Sequence, residues 1–243
     1  MNDIGQQKPQ RLQASAMAKH KSKSRPPGSI EVDLVSDFVC PWCWLGFKYY
    51  LKAAKGSKPK PNLTFRPYML DPNVPEGGTE YRTYMKAKFG DKPDSRWKAM
   101  RDHLESAGPE AGIEFDFKAI TMRPNTLNAH RLMRWAQGQD LGFECAEKLF
   151  IAYMEKGEDI GDPDILVRIA GEIGMDSDLT RDLLAREDDK IDIMNEVMFF
   201  KGLGVSGVPT FIYNGQYAVQ GAQPPEQHKS ILKDAIKIST SDQ

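Results

Sequence analysis

The sequence has few cysteines and no long hydrophobic run. Its 243 residues include three cysteines, whereas the disulfide framework of a small secreted protein needs an even set. No apolar stretch approaches the roughly 20 residues that a membrane-spanning helix requires. The first residues also lack the apolar stretch of a secretory signal. We therefore expect a cytoplasmic protein that does not enter a membrane.

The body of the chain carries a net negative charge. Residues 1–29 carry six basic side chains and a single acid, Asp3, which gives this segment a charge of +5. Since the whole chain carries −1, residues 30–243 carry −6. A mildly acidic body provides no basic groove for phosphates, so we expect no nucleic-acid partner.

Large apolar side chains are almost absent from the first 29 residues. Such a segment buries too little surface to offset the entropy cost of ordering it. The sequence therefore predicts a disordered basic tail at residues 1–29, and a second, short tail at residues 239–243.

Regular structure is first predicted at residue 30. Ile30, Val32 and Leu34 alternate with polar residues, which is the spacing of a strand. A helix should follow at once, with Pro41 at its first position, where the missing N–H group is no loss. A second strand is predicted at residues 63–70, so this part of the chain forms a βαβ unit.

The middle of the chain shows helical spacing throughout. Apolar residues recur three, four and seven positions apart, for example at Ala129, Leu132 and Ala136. This pattern predicts an all-helical insertion at residues 72–201.

Strand patterns return near the C-terminus. Residues 210–213 and 216–219 are rich in β-formers, and Asn214-Gly215 between them is a strong hairpin signal. A final helix follows. The order predicts an α/β protein in which residues 30–71 and 202–238 form one domain, interrupted by the helical insertion.

Two cysteines lie where the first strand meets the first helix. Cys40 precedes the helix, where unpaired backbone N–H groups and the helix dipole favour a thiolate, and Cys43 lies one turn further in. This spacing predicts Cys40 as a nucleophile and Cys43 as its resolving partner. Zinc would need two further ligands, and no second pair follows, so we expect no metal. Cys145 shares helical spacing with apolar residues, which predicts an inert buried thiol.

A second motif shows a family resemblance. Val208-Pro209-Thr210 enters a strand and, together with Cys40-Pro41-Trp42-Cys43, resembles the thioredoxin superfamily. The large insertion narrows the resemblance to the DsbA-like clan. Several segments are similar to its FrnE-like branch: residues 36–43, Asn125-Thr126, residues 129–132, 207–211 and 221–223.

The resemblance implies a thioredoxin fold with a large all-helical insertion. It also implies a cis peptide bond before Pro209, where the backbone of Val208 and Pro209 would align a substrate strand. Some members carry a further cysteine pair near the C-terminus. This chain has no cysteine after Cys145, so we expect no second redox relay.

Four further residues are candidates for the site, each with a structural alternative. Trp42 could receive a peptide or an aromatic substrate, or belong to the core. Asn125 and Thr126 are natural helix N-caps, while their resemblance to the family segment that faces the cysteines favours substrate contact. His130 is a candidate acid or base near Cys40, and packing within its helix is the alternative.

The sequence thus predicts a protein-disulfide oxidoreductase that exchanges its dithiol with protein or small-molecule thiols, without a tightly bound cofactor. The same clan includes 2-hydroxychromene-2-carboxylate isomerase and kappa-class glutathione transferases, in which a serine typically replaces the nucleophilic cysteine. A glutathione-dependent isomerase or transferase acting on an aromatic metabolite is the alternative. A non-catalytic binding module is a third hypothesis. Glutathione remains a candidate co-substrate or reductant.

Overall fold

The computed structural model describes residues 10–11, 29–90 and 96–241. The strands are β1 (Gln10–Arg11), β2 (Glu31–Ser36), β3 (Asn62–Pro67), β4 (Thr79–Glu80), β5 (Met122–Arg123), β6 (Thr210–Tyr213) and β7 (Tyr217–Gln220). The helices are α1 (Pro41–Ala54), α2 (Tyr81–Phe89), α3 (Arg96–Ala111), α4 (Leu127–Gln137), α5 (Gly142–Met154), α6 (Pro163–Glu172), α7 (Ser177–Leu184), α8 (Lys190–Gly202) and α9 (Pro225–Ser241). None of these helices is long and apolar enough to cross a membrane.

One mixed sheet holds the two ends of the chain together. Its strand order is β1-β7-β6-β2-β3. β2 lies parallel to β3 and antiparallel to β6, so that Val32 has Leu63 on one side and Tyr213 on the other. A parallel neighbour requires a crossover, which α1 provides. The predicted βαβ unit and the C-terminal hairpin therefore form one sheet, as expected.

The hairpin turn follows from two residues. Asn214 has a φ of 51° and Gly215 a φ of 66°, and the N–H of Gln216 donates to the carbonyl of Tyr213 at 3.0 Å. Positive φ angles at both central residues of the turn match the right-handed twist of the flanking strands, and the pairing of Tyr213 with Tyr217 leaves a three-residue loop. The prediction from Asn-Gly is confirmed.

The structure describes part of a regular element within each predicted tail, and the limits of the tails stay a prediction. Gln10 and Arg11 form a short strand that pairs with Ala218 and Tyr217 of β7, because an edge strand offers unpaired backbone groups to any nearby chain. At the other end, α9 continues to Ser241, since no proline or glycine stops it. Residues 1–9 and 12–28 of the predicted N-terminal tail lie outside the described residues.

The insertion is mostly helical but contains a small sheet that the sequence did not predict. β4 and β5 pair antiparallel, with Thr79 opposite Arg123 and Glu80 opposite Met122. Strands of two residues are too short to show alternation. The side chain of Glu80 then accepts hydrogen bonds from the first N–H groups of α2. The domain limits themselves stay a prediction.

The insertion packs against the sheet through specific side chains. The amide of Gln137 donates to the carbonyl of Phe65 at 3.1 Å and accepts from its N–H at 2.7 Å, as a neighbouring strand would. On the other side of the insertion, Trp44 stacks on Phe150 at 5.1 Å and donates to Glu155 at 2.9 Å. These contacts fix α1 and β3 relative to α4 and α5.

Candidate active site

The turn between β2 and α1 positions the two cysteines. The N–H of Cys40 donates to the carbonyl of Asp37 at 3.0 Å, and Cys40 itself is the extended N-cap residue, followed by Pro41. The carbonyl of Cys40 accepts from the N–H of Cys43 at 3.0 Å and from that of Trp44 at 3.4 Å. Cys40 thus begins the helix and Cys43 lies within its first turn.

Burial distinguishes the two thiols. Both cysteines are free and buried, with Cys40 4% exposed and Cys43 fully enclosed. Burial raises the pKa of Cys43 well above its ordinary value, and its hydrogen bond to Cys40 and the charge of Cys40 raise it further. The backbone N–H of Asp37 and the hydroxyl of Ser36 oppose this shift of the Cys43 pKa. The net effect favours a neutral Cys43 thiol.

The turn before β6 faces Cys40. The Val208–Pro209 peptide bond is cis, and the Cys40 thiol donates to the Val208 carbonyl over 3.6 Å. Gly46 allows this approach, because a Cβ atom there would lie 3.0 Å from the Pro209 ring. The Pro209 carbonyl accepts from the N–H of Gly221 at 2.7 Å, which ties the turn to the end of β7.

A cleft of about 250 Å³ opens beside Cys40, and we call it the Cys40 cleft. Cys40, Trp42 and Val208 form one side of it. Helices α2 and α3 and the segment after α3 form the apolar remainder, chiefly Tyr81, Met85, Phe89, Trp97, Met100 and Phe117. Trp42 lies in this wall and contacts the His103 ring at 5.3 Å, whereas Trp44, two residues on, is fully buried.

Four polar residues meet at one end of the cleft: Asp71, Tyr84, Lys88 and Arg123, which we call the Arg123 corner. Arg123 donates to the Val39 carbonyl at 3.2 Å and to the Asp71 carboxylate at 2.8 Å. Lys88 and Tyr84 also donate to that carboxylate. Partial burial raises the pKa of Asp71, but these hydrogen bonds and the charge of Arg123 outweigh it, so the pKa lies below its ordinary value.

No sequence motif marks the Arg123 corner or His103, so neither was predicted. Arg123 lies 84 residues after Val39 in the chain, and only the folded structure brings the two together. The one available signal was the position of Arg123 two residues before the candidate Asn125. His103 lies on the exposed side of α3 and carries no motif around it.

Asn125 and Thr126 do not line the Cys40 cleft. Asn125 donates to the Val74 carbonyl at 2.7 Å and accepts from the N–H of Leu127 at 3.0 Å, so its side chain caps α4. Thr126 is the N-cap residue and is buried, but its side chain makes no capping hydrogen bond. A role in substrate contact stays a prediction for both.

His130 lies outside the wall of the Cys40 cleft. Its Nε2 atom is 3.0 Å from the Tyr68 carbonyl and 3.7 Å from Oδ1 of Asp37. The ring borders a second cavity, of about 140 Å³, together with Ser36 and Arg66. Its predicted acid–base role is untested by this placement.

Two other expectations concern metal and the third cysteine. In the described ranges, no group of three or more histidine, cysteine or acidic residues could hold a metal ion. Cys145 is fully buried in α5, and burial raises its thiol pKa far above the ordinary value. Its predicted burial is therefore confirmed, and its inertness stays a prediction.

Comparisons with known proteins agree with the fold. An uncharacterised protein of Bacillus subtilis (strain 168), YwbO, is 23% identical over 86% of this chain and 98% of its own length. A probable DsbA oxidoreductase from Streptomyces coelicolor superposes with a TM-score of 0.78 at 24% identity, covering 85% of this chain and 89% of that one. A cytosolic disulfide reductase from Pseudomonas aeruginosa, DsbM, solved with GSH, gives 0.58 at 15% identity, covering 85% and 99%. Residues 31–233 match the family described as the DSBA-like thioredoxin domain, and the chain belongs to this family.

Proposed function

We propose that this protein is a thiol–disulfide oxidoreductase that uses Cys40 as nucleophile and Cys43 as resolving thiol. The observation that carries the proposal is the position of Cys40 at the start of α1, on the wall of the Cys40 cleft and 3.6 Å from the Val208 carbonyl. A thiol at a helix N-terminus is favoured as a thiolate, and the cleft gives a substrate access to it. Cys43 is enclosed, which suits attack on the Cys40 sulfur of a mixed disulfide rather than on a free substrate.

Atoms and electrons balance in each step of the proposed exchange. In the reducing direction, the Cys40 thiolate attacks a substrate disulfide, the substrate S–S bond breaks, and one substrate thiolate leaves. Cys43 then loses its proton and attacks Cys40 of the mixed disulfide, which releases the second substrate thiolate and forms the Cys40–Cys43 disulfide. The protein loses two electrons, which the substrate sulfurs gain. The oxidising direction runs through the same steps in reverse.

The substrate sulfur would reach Cys40 between the Val208–Pro209 turn and Trp42. The turn offers backbone groups to an extended segment, and Trp42 offers an apolar surface. Glutathione is a suitable co-substrate or reductant, in keeping with the GSH in the Pseudomonas neighbour. We place the activity in the cytoplasm, where thiols are kept reduced.

Three cysteine variants test this proposal. In single turnover with 2,2′-dithiodipyridine, Cys40→Ser should abolish the rapid release of thione. Cys43→Ser should release one thione instead of two and retain a mixed disulfide at Cys40, detected by mass spectrometry. Cys145→Ser is the matched control and should behave as the unaltered protein, because Cys145 is enclosed in α5.

Two outcomes would overturn the proposal. Undiminished thione release from Cys40→Ser would remove Cys40 from the reaction. Glutathione-dependent conversion of an aromatic substrate that survives Cys43→Ala would favour the isomerase or transferase alternative instead.

A further inference from the structure

The Arg123 corner contains a buried cation with a spare hydrogen-bond donor. The Arg123 side chain is 7% exposed, and its two terminal nitrogens donate to Val39 and Asp71. Its Nε–H group is enclosed and has no hydrogen-bond partner among the described residues. A buried donor without a partner is destabilising, so such a group in a cleft wall suits an acceptor that arrives with a ligand.

The charged side chains that line the cleft at this corner are both positive. Lys88 and Arg123 are the charged residues that the described part of the chain contributes to the cleft wall, and Asp71 lies behind them. Asp71 and the buried Asp37, which also acts electrostatically on Arg123, do not line the cleft, so both charges that a ligand meets there are positive. The corner therefore favours an anion.

The rest of the cleft determines which kind of apolar group can carry the anion. Its walls are aromatic and aliphatic, from Tyr81 and Met85 of α2 to Trp97 and Met100 of α3. A volume of about 250 Å³ suits a group about the size of a single ring rather than a long segment. Cys40 belongs to the same wall, so a ligand that fills the cleft brings its sulfur to the nucleophile.

We propose that the Cys40 cleft selects thiols and disulfides that carry a carboxylate on an apolar, ring-sized body. The carboxylate binds at Arg123 and Lys88, the apolar body lies between α2 and α3, and the sulfur reaches Cys40. Arginine and lysine bind carboxylates through charge-assisted hydrogen bonds, which are the stronger kind. This assignment rests on the proposed function, since it names the substrate class of the same cleft.

A matched pair of chromogenic disulfides tests the assignment. 2,2′-Dithiodipyridine is neutral, and 6,6′-dithiodinicotinate is the same molecule with a carboxylate on each ring. The rate of thione release from excess disulfide by the reduced full-length protein is measured for both at low salt. For each disulfide, the rate with the protein is divided by the rate with free glutathione. The measured quantity is the ratio of this normalised rate for the carboxylated disulfide to that for the neutral disulfide. We expect a ratio well above one.

Variants with opposite charge changes sharpen the test. Arg123→Met and Lys88→Met should each lower the ratio, by about tenfold for the buried arginine, the loss of one charge-assisted hydrogen bond. Asp71→Asn should raise it, because it removes the internal counter-ion. Lys229→Met is the control and should leave both rates unchanged, since it removes an equal charge from the exposed side of α9. If Arg123→Met does not fold, the other two variants still predict opposite changes.

A peptide could supply the same carboxylate. Its contribution is measured with two mixed disulfides of a short cysteine peptide that differ in an aspartate or an asparagine beside the cysteine. A preference for the carboxylated ring disulfide assigns the cleft to small molecules, and a preference only for the aspartate peptide would contradict the ring-sized body.

The outcomes separate the two proposals. One outcome would be rapid reaction with both ring disulfides and the same carboxylated-to-neutral ratio in the unaltered protein and in every variant. That outcome would overturn the carboxylate assignment and leave the proposed oxidoreductase activity intact. No reaction of Cys40 with either disulfide would overturn the oxidoreductase itself.

Discussion

At the scale of single residues, His228 shows that burying a titratable ring in the core around β6 costs free energy. The ring is fully buried, packs against Phe211 with the centroids 4.6 Å apart, and shares a hydrogen bond between its Nδ1 atom and the Tyr213 hydroxyl. Its Nε2 atom is enclosed and lacks a hydrogen-bond partner among the described residues. Burial lowers the pKa of His228 from 6.5 to about 4, because a charged ring would lose its hydration.

This pKa predicts acid sensitivity. Below pH 6.5 the unfolded chain takes up a proton at His228 while the folded protein does not, so stability is lost as the pH falls from 6.5 toward about 4. The loss attributable to His228 is about 3 kcal/mol. Urea unfolding over this range measures it, and His228→Phe should flatten that part of the profile. His103→Gln, at an exposed site, is the control; parallel profiles for His228→Phe and the unaltered protein would contradict the assignment.

At the scale of elements, Arg131 of α4 holds two other helices. Its side chain is 1% exposed and donates to the Asp189 carboxylate, just before α8. It also donates to the carbonyls at and beyond the end of α7, which are those of Leu183, Leu184 and Arg186. Helix ends leave carbonyls unpaired, and the flat guanidinium group satisfies several of them at once.

Replacing Arg131 should therefore be costly. Arg131→Met leaves buried carbonyls and Asp189 without their donor and should lower the free energy of unfolding by about 3–5 kcal/mol. Arg131→Lys should recover only a minority of this, since one ammonium group cannot reach all the carbonyls. Urea unfolding is the measurement. Arg134→Met, on the exposed side of α4, should change stability by less than about 0.5 kcal/mol; equal effects of the two methionine variants would refute the role.

Elements with local signals could be predicted, and elements that depend on distant partners could not. Asn214-Gly215 determines its own turn, and Pro41 is suited to the first position of α1 wherever that helix packs. β1 exists because β7 has an open edge, and β4 because β5 returns beside it more than 40 residues later. No periodicity within two residues reports such a pairing.

At the scale of the whole molecule, the site combines three segments far apart in sequence. Cys40 and the Val208–Pro209 turn both carried motifs, so their positions were predicted and the fold brings them together. Arg123 carried no motif, because its environment is created by Val39 and Asp71. The resemblance to a family supplied the arrangement of the first two segments, while the polar end of the cleft became visible only in three dimensions.

The central claim is that Cys40 and Cys43 form a reversible dithiol–disulfide couple. A redox titration against glutathione buffers, with thiols alkylated and the protein weighed by mass spectrometry, tests it most directly. We predict a single reversible two-electron transition in which Cys40 and Cys43 are oxidised together while Cys145 stays reduced. The absence of any transition, or a stable glutathione adduct on Cys40 without the internal disulfide, would contradict the account.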